Sequence, residues 1–468
     1  EVKYAHQNVG FEAVDLAAGK FLVKNRFYFT GLKKYQINYA VKANGKVVRK
    51  GKTFLDIEPQ DSQELNVNVA GLQPKAGTEY FVNFWVTTTE PEILIPVGHE
   101  IASEQFRLPI EPLTVAEHKA SGKTSVTTEG DEVKVTSSKM QFVFNKKSGL
   151  VTSYKVNGTE YFTEGFGIQP NFWRAPNDND YGNGQPKREQ IWKQSSKNFK
   201  VADVITEAEG NNTILTANYL LAAGNLYIVK YTIYPDGVVH ADITFTSTDM
   251  EEGKTEVSEA TLMATFSPGQ QEARRAASKL VVPRIGVRFR LPADMNQVEY
   301  FGRGPGENYI DRQRASFVDL YKTTADAMYT NNYVRPQENG HRTDTRWVEL
   351  TRKNGKGLKI VADETIGFNA LRNSVEDFDS EEAVGKLRQW NNFTPEEIAN
   401  RSEEKAKNVL RHMTHVNDIT PRNFVEVCVD MKQQGVAGFN SWGDRPLPEH
   451  TMPANQEYKW GFTLIPVK

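Results

Sequence analysis

The chain has a single cysteine, Cys428, in 468 residues. That excludes an internal disulfide framework and leaves the redox compartment open. Cys428 sits in Phe424-Val425-Glu426-Val427-Cys428-Val429-Asp430, an alternating strand. The setting fits a buried structural thiol better than a nucleophile, which needs a partner. An excess of one charge is also lacking: 57 Lys+Arg face 59 Asp+Glu, for a net charge of −2. No basic stripe points to nucleic acid, and no polybasic segment points to a membrane surface. Long apolar runs are missing, and with a mean hydropathy of −0.56 no stretch reads as a spanning helix. The chain is therefore expected to have neither a nucleic-acid nor a membrane partner. It starts at Glu1 without a leader, so it reads as cut from something longer. Its localisation, bacterial periplasm or secreted against cytoplasm, stays open. Internal repeats and low-complexity tracts are absent as well.

What is present is β-structure. The first 110 residues or so alternate apolar and polar positions over short runs at 20–29, 35–42, 62–69, 78–88 and 99–108. Asn44-Gly45 makes a two-residue hairpin turn. Trp85 lies inside the fourth run and reads as a core residue. Strands at this spacing predict an immunoglobulin-like sandwich without its cysteine pair. Pro109-Ile110-Glu111-Pro112 breaks both strand and helix and marks a linker. From residue 118 the pattern resumes. Runs 133–136 and 140–145 pair, Asn157-Gly158 turns a hairpin, and 213–221, 226–234 and 238–246 form a meander. Further strands fall at 284–291, 347–351, 358–362, 424–430 and 458–466. The predicted fold class is all-β: residues 1–110 an Ig-like sandwich, 111–117 a linker, and 118–468 one large antiparallel sandwich. Helix is predicted only at Thr394-Pro395-Glu396-Glu397, where a Thr cap precedes a first-turn Pro, and at 380–389 and 402–410.

Four polar–aromatic loops carry the candidate chemistry. The first is Asn171-Phe172-Trp173-Arg174-Ala175-Pro176-Asn177-Asp178-Asn179-Asp180. Aromatic faces stack on the CH surface of a pyranose, and Asp, Asn and Arg groups hydrogen-bond its hydroxyls. The others centre on Gly304-Pro305-Gly306-Glu307-Asn308-Tyr309, on Arg335-Pro336-Gln337-Glu338-Asn339-Gly340, and on Gly438-Phe439-Asn440-Ser441-Trp442. Gly302 to Gly306 is no phosphate loop, because the Lys-Ser/Thr is missing and Pro305 interrupts it. Counting a calcium loop from Asp178 puts Asn183 where a glycine is required. An adventitious or loop-stabilising cation on Asp178 or Asp180 is more plausible than an EF-hand. Glu307, Asp311, Glu338 and Asp344 could form a glycosidase dyad. Their match with Arg303, Arg312, Arg335 and Arg342 favours a structural network instead. His341 and His450 are candidate acids or bases by residue type but show no partner. Trp442 has no apolar periodicity around it and reads as a ligand-facing or interface side chain, with a buried loop anchor as the alternative.

In order and spacing, these loops resemble the C-terminal region of the β-galactosidases of glycoside hydrolase family 2. Pro283-Arg284-Ile285-Gly286, Asp311-Arg312 and Val14-Asp15-Leu16 extend the match over essentially the whole chain. The resemblance implies an Ig-like domain followed by a galactose-mutarotase-like β-sandwich, the small-chain domain. It implies that a jelly-roll, a first Ig-like domain and a catalytic (β/α)8 barrel precede this region, with both catalytic glutamates on the barrel. This chain then carries no catalytic residue. Trp442 inherits a substrate-binding place at the active-site edge. Arg174, Asn177 and Asp178 are carried over as binding or structural candidates on the concave loop face. No metal or other cofactor is expected here; intact members use Mg and Na, with ligands mainly outside this region. The implied partners are a galactoside, the chain's own preceding domains and further copies in a homo-oligomer. Three departures stand out: Phe439-Asn440 in the Ser-Trp loop, His341 after Glu-Asn-Gly, and a longer segment at 375–392. The rival readings are a mutarotase-like epimerase using His341 and a carboxylate, and a non-catalytic carbohydrate-binding module.

Overall fold

The computed structural model describes residues 1–246, 280–379, 415–438, 440 and 443–468. The predicted helices at 394–397, 380–389 and 402–410 lie outside these residues, as do Phe439, Ser441 and Trp442. The described chain is built on antiparallel sheets and divides into two compact units. One comprises 1–118 and 313–320; the other comprises 119–312 and 321–468. No described helix is long and apolar enough to cross a membrane.

The first unit is a two-sheet sandwich. Val9–Asp15, Lys20–Asn25 and Ser62–Asn66 form one sheet. Lys46–Thr53, Tyr35–Ala43, Tyr80–Thr88 and Glu100–Arg107 form the other, in that order. Asn44 and Gly45 both take positive φ, 44° and 80°, which is what a two-residue hairpin joining twisted strands requires. Phe11, Phe21 and Phe84 meet between the sheets, with Phe11 and Phe84 stacked at 4.6 Å. Trp85 is not in this core. Phe84 and Val86 point inward, so the period of two turns Trp85 to the outer face, where it is half-buried. Residues 313–320 join this unit through Val318, whose N–H and C=O both bond the Gln105 carboxamide at 2.8 Å.

The second unit holds a five-stranded sheet, running from Ser125–Glu129 to Thr159–Glu160, and a far larger one. The large sheet has twelve described strands, nine of them in one path: Gln169–Asn171, Arg284–Pro292, Phe424–Gln433, Gly357–Leu371, Tyr458–Val467, Val239–Phe245, Leu226–Ile233, Asn212–Leu220 and Lys200–Glu209. The meander read from the sequence is three adjacent strands of this order, Asn212–Leu220, Leu226–Ile233 and Val239–Phe245, the last of which pairs on with Tyr458–Val467. One continuous apolar core fills this unit, with Phe142, Tyr154, Phe172, Trp192, Tyr227 and Phe289 among its large side chains. Cys428 is in it, 2 % exposed, and burial pushes its thiol well above the ordinary range.

A helical stretch replaces the loop expected after Asn171. Asp178–Gly182, Gln185–Arg188 and Gln190–Lys197 are helices. The local reasons are visible. Asn177 and Asp180 form a reciprocal capping box, and Pro186 sits in the first turn of the second helix. The third helix buries Trp192, Ser195 and Ser196 on one face. In the 375–392 segment, Val375–Phe378 is a short helix capped by Ser374; the remainder from residue 380 lies outside the described residues.

Candidate functional site

The first candidate run is almost wholly buried. Arg174 is 0 % exposed and Asn177 5 %, whereas the Asp178 side chain is 68 % exposed. Arg174 Nη2 donates to Asp180 Oδ1 at 2.9 Å and to the Gly435 carbonyl at 3.1 Å. Asn177 Oδ1 accepts the Asp180 N–H at 2.9 Å, and its Nδ2 donates to the Val436 carbonyl at 2.6 Å. From the other side, Asp311 Oδ2 accepts the Ala437 N–H at 2.9 Å. Residues 435–437 are thus held by three side chains drawn from two of the candidate loops. They lead directly into Gly438-Phe439-Asn440-Ser441-Trp442.

The far end of that loop is held by shape. Gly443 takes φ +98°, and a Cβ there would lie 2.7 Å from the Gly182 carbonyl carbon. Only glycine meets both demands. Trp442 itself lies outside the described residues; ahead of its loop residues 435 and 436 rest on Arg174 and Asn177, and after it Gly443 packs on Gly182.

The carboxylates proposed as cation ligands are engaged by arginines. Asp178 pairs with Arg335 at 2.5 Å, and the Arg335 guanidinium lies 4.2 Å from the Tyr181 ring centre. Burial pushes the Asp180 carboxyl up, against the pull of Arg174. The arginine–carboxylate network exists, with partners that differ in part from the loop-to-loop matching. Arg303 pairs with Asp344 at 2.5 Å and Arg312 with Glu307 at 2.8 Å. Glu307 also accepts the Gly340 N–H at 2.9 Å and the Tyr333 hydroxyl. Arg342 bonds the Tyr300 hydroxyl and the carbonyls of Gly340 and His341. Glu338 goes elsewhere, to Arg284.

Arg284 is the centre that the sequence reading did not single out. Its guanidinium is 0 % exposed and lies between Glu338 Oε1 at 2.5 Å and Asp430 Oδ2 at 3.2 Å. Its Nη1 donates to the Trp173 carbonyl at 3.2 Å, and Gln433 and Asn369 complete the Glu338 carboxylate. Gly286, in the same Pro283–Gly286 motif, makes room for this group: a Cβ would sit 2.2 Å from Asp430 Oδ1. Burial raises the Asp430 carboxyl to about 7, opposed by Arg284 and assisted by Glu338. His341 is 1 % exposed, stacked on Tyr309 at 5.5 Å, with Nδ1 3.7 Å from Asp430. Burial, then the cations Arg284 and Arg342, hold it well below its ordinary range. It is a neutral packed ring. His450 ends the short turn Pro448–His450, and its carbonyl accepts the Gly435 N–H at 2.8 Å.

One His/Asp/Asp cluster lies apart from these loops. His240 Nε2 is 3.1 Å from Asp363, and Nδ1 is 3.5 Å from Asp242. One donor from each falls within 4.8 Å of the other two, so the set could hold a metal ion. An imidazole donor suits Zn, Cu or Ni better than the Mg and Na that the resemblance implies. Two carboxylates facing one ring also make an ion-pair clamp, and they push the imidazole up to about 10.

Residues 136–464 match the family described as "Beta galactosidase small chain". The chain belongs to that family. Residues 21–109 match "Beta-galactosidase, domain 4". The small-chain region therefore follows a domain of the same family of enzymes, in the order that the loops implied. The chain is 29 % identical over 470 residues to a protein named β-galactosidase from Priestia megaterium, covering all of this chain and 39 % of that one. It is 26 % identical to a namesake from Halalkalibacterium halodurans, covering 99 % of this chain and 40 % of the relative. It thus spans about two fifths of the length of these curated relatives. Among solved structures it is similar to galactose 1-epimerase from Lactobacillus acidophilus NCFM, at 8 % identity and a TM-score of 0.35, covering 74 % of this chain and 99 % of that one. A galactose mutarotase related enzyme from Lactobacillus acidophilus gives a TM-score of 0.31 at 8 % identity, covering 73 % and 97 %.

Proposed function

We propose that this chain is the C-terminal, non-barrel portion of a β-galactosidase acting on terminal β-D-galactosides, and that it lends Trp442 to the substrate edge of a catalytic barrel carried elsewhere. The reading rests on one observation above the others. Family matches cover 21–109 and 136–464, while the chain spans only two fifths of relatives named β-galactosidase. The retaining chemistry, with its two carboxylates about 5 Å apart, belongs to that barrel. Arg174, Asn177 and Asp311 serve by holding residues 435–437, so that the loop bearing Trp442 leaves from a rigid base. Asp178, the exposed member of the first run, is the remaining candidate for direct substrate contact.

The packing of His341 weighs against the epimerase reading. A proton shuttle must reach substrate, and this ring is enclosed by Tyr309 and by its cationic neighbours. The test is turnover of a chromogenic galactoside. Purified 1–468 alone is expected to give none, and mixing it with the remaining N-terminal part of the Priestia megaterium relative is expected to restore hydrolysis. In that mixture Trp442→Ala should weaken substrate binding by roughly 1–3 kcal/mol, the worth of a stacked and buried aromatic. Hydrolysis by 1–468 alone would overturn the proposal. Polarimetry on fresh α-galactose addresses the rival: acceleration by 1–468 that His341→Ala removes would establish it.

A further inference from the structure

Next to the Asp178–Gly182 helix, the second unit contains a cavity of about 230 Å³ for which the proposed role has no use. Its polar wall includes two buried side chains from the helical stretch. Gln185 is 1 % exposed, and neither Oε1 nor Nε2 completes a hydrogen bond among the described residues, although Nε2 is turned toward Glu189. With Nε2 turned to Glu189, it is the buried carboxamide oxygen that is left without a donor, which is costly unless a group inside the cavity supplies one. Glu189, also 1 % exposed, is held by Arg188 at 3.0 Å on Oε1, while Gln434 reaches Oε2 only at 3.5 Å.

The chemistry of the lining narrows what fits. Asp180 and Glu189 are balanced by Arg188 and Arg445, so the wall presents no net charge to attract an ion. Pro446, Pro448 and Leu280 supply an apolar side. A carboxamide sets one donor beside one acceptor, the complement of two adjacent hydroxyls. The volume falls below the roughly 300–1,000 Å³ of most ligand pockets, which limits an occupant to small-molecule size. We propose that this cavity binds a neutral polyhydroxyl ligand of monosaccharide size, with Gln185 and Glu189 meeting adjacent hydroxyls and the proline wall meeting a CH face. The proposal does not rest on the galactosidase reading, because the site is complete within this chain.

Titration calorimetry on 1–468 with D-galactose and with D-glucose tests it. Saturable binding of at least one sugar is expected. Gln185→Leu, which keeps the bulk and removes both polar atoms, should weaken it about tenfold or more, the loss of one buried hydrogen-bonding group. Arg445→Ala, at an exposed position where folding is not at stake, should weaken it by about threefold or more. Sodium sulfate and calcium chloride should not compete. The proposal is overturned if neither sugar saturates, if either ion displaces the sugar, or if Gln185→Leu and Arg445→Ala bind like the parent.

Discussion

Arg284→Met removes the one cation between two buried carboxylates while nearly keeping side-chain length. Glu338 and Asp430 are 3 % and 0 % exposed, so water cannot replace the guanidinium. Breaking a buried pair from one side costs about 3–5 kcal/mol, because the remaining charge has no compensation. With urea slopes near the upper end of about 1–3 kcal/mol/M, the midpoint of the second unit should fall by roughly 1 M or more. The pH dependence gives the sharper test. Asp430 titrates at about 7 in the folded chain, above an unfolded carboxyl at about 3.9. A raised carboxyl favours the folded state below the unfolded value, and that contribution is lost as pH rises through the folded one. Without Arg284 the Asp430 carboxyl shifts higher still, and each pH unit of protonation relieves about 1.4 kcal/mol. The destabilisation should therefore be largest at pH 8 and shrink toward pH 5.5. Urea unfolding followed by tryptophan fluorescence and circular dichroism at both pH values measures it. A loss under about 1 kcal/mol at pH 8, or one equal at the two pH values, would refute the account of a buried charge centre.

Other substitutions address the remaining elements. Asn177→Ala removes the capping box and the tie to Val436, and should lower stability by about 1–2 kcal/mol in thermal unfolding, whereas Asp178→Ala, an exposed pair with Arg335, should stay within about 1 kcal/mol. His240 is raised to about 10 by Asp242 and Asp363, so its stabilisation is full below 6.5 and fades as pH rises through 10. Parent and His240→Gln should accordingly differ by roughly 1–2 kcal/mol at pH 7, discounted for partial exposure, and converge at pH 10.5; a constant gap would exclude the ion-pair clamp. Cys428 should react with a thiol reagent only at the rate of unfolding, since its thiol is buried and held neutral.

How much of this was legible in the sequence depends on the range of the interaction that decides each part. The meander from residue 213 was readable because alternation and turn residues are local signals, and its strands do pair as sequence neighbours. The Asn44-Gly45 hairpin was readable for the same reason. The stretch from Asp178 to Lys197 was not, although its cap lies in plain sight. Asn and Asp residues that cap a helix are the residue types that bind a sugar, and composition alone does not say whether a side chain turns back to its own backbone. Once Asn177 and Asp180 are seen to satisfy each other, the run is a frame for residues 435–437.

The Arg284 centre failed for a different reason. Its partners come from a distant loop and a distant strand, and the charge-matched arginines lying close to Glu338 in sequence offered a more obvious pairing. The clue was the strand itself. Arg284, Arg288 and Arg290 interrupt an otherwise buried run, and Glu426 and Asp430 interrupt its neighbour with the same spacing of four. Isolated charges in two buried strands stay buried only if they meet, so the two strands had to be adjacent in the sheet: Arg290↔Glu426 and Gly286↔Asp430 are register partners. The same reasoning separates frame from function at the loop cluster. The side chains that make the motifs recognisable are mostly those that hold the backbone. Two of those frame side chains, Arg174 and Asn177, hold residues 435 and 436 just ahead of Gly438, and Gly443 packs closely on Gly182.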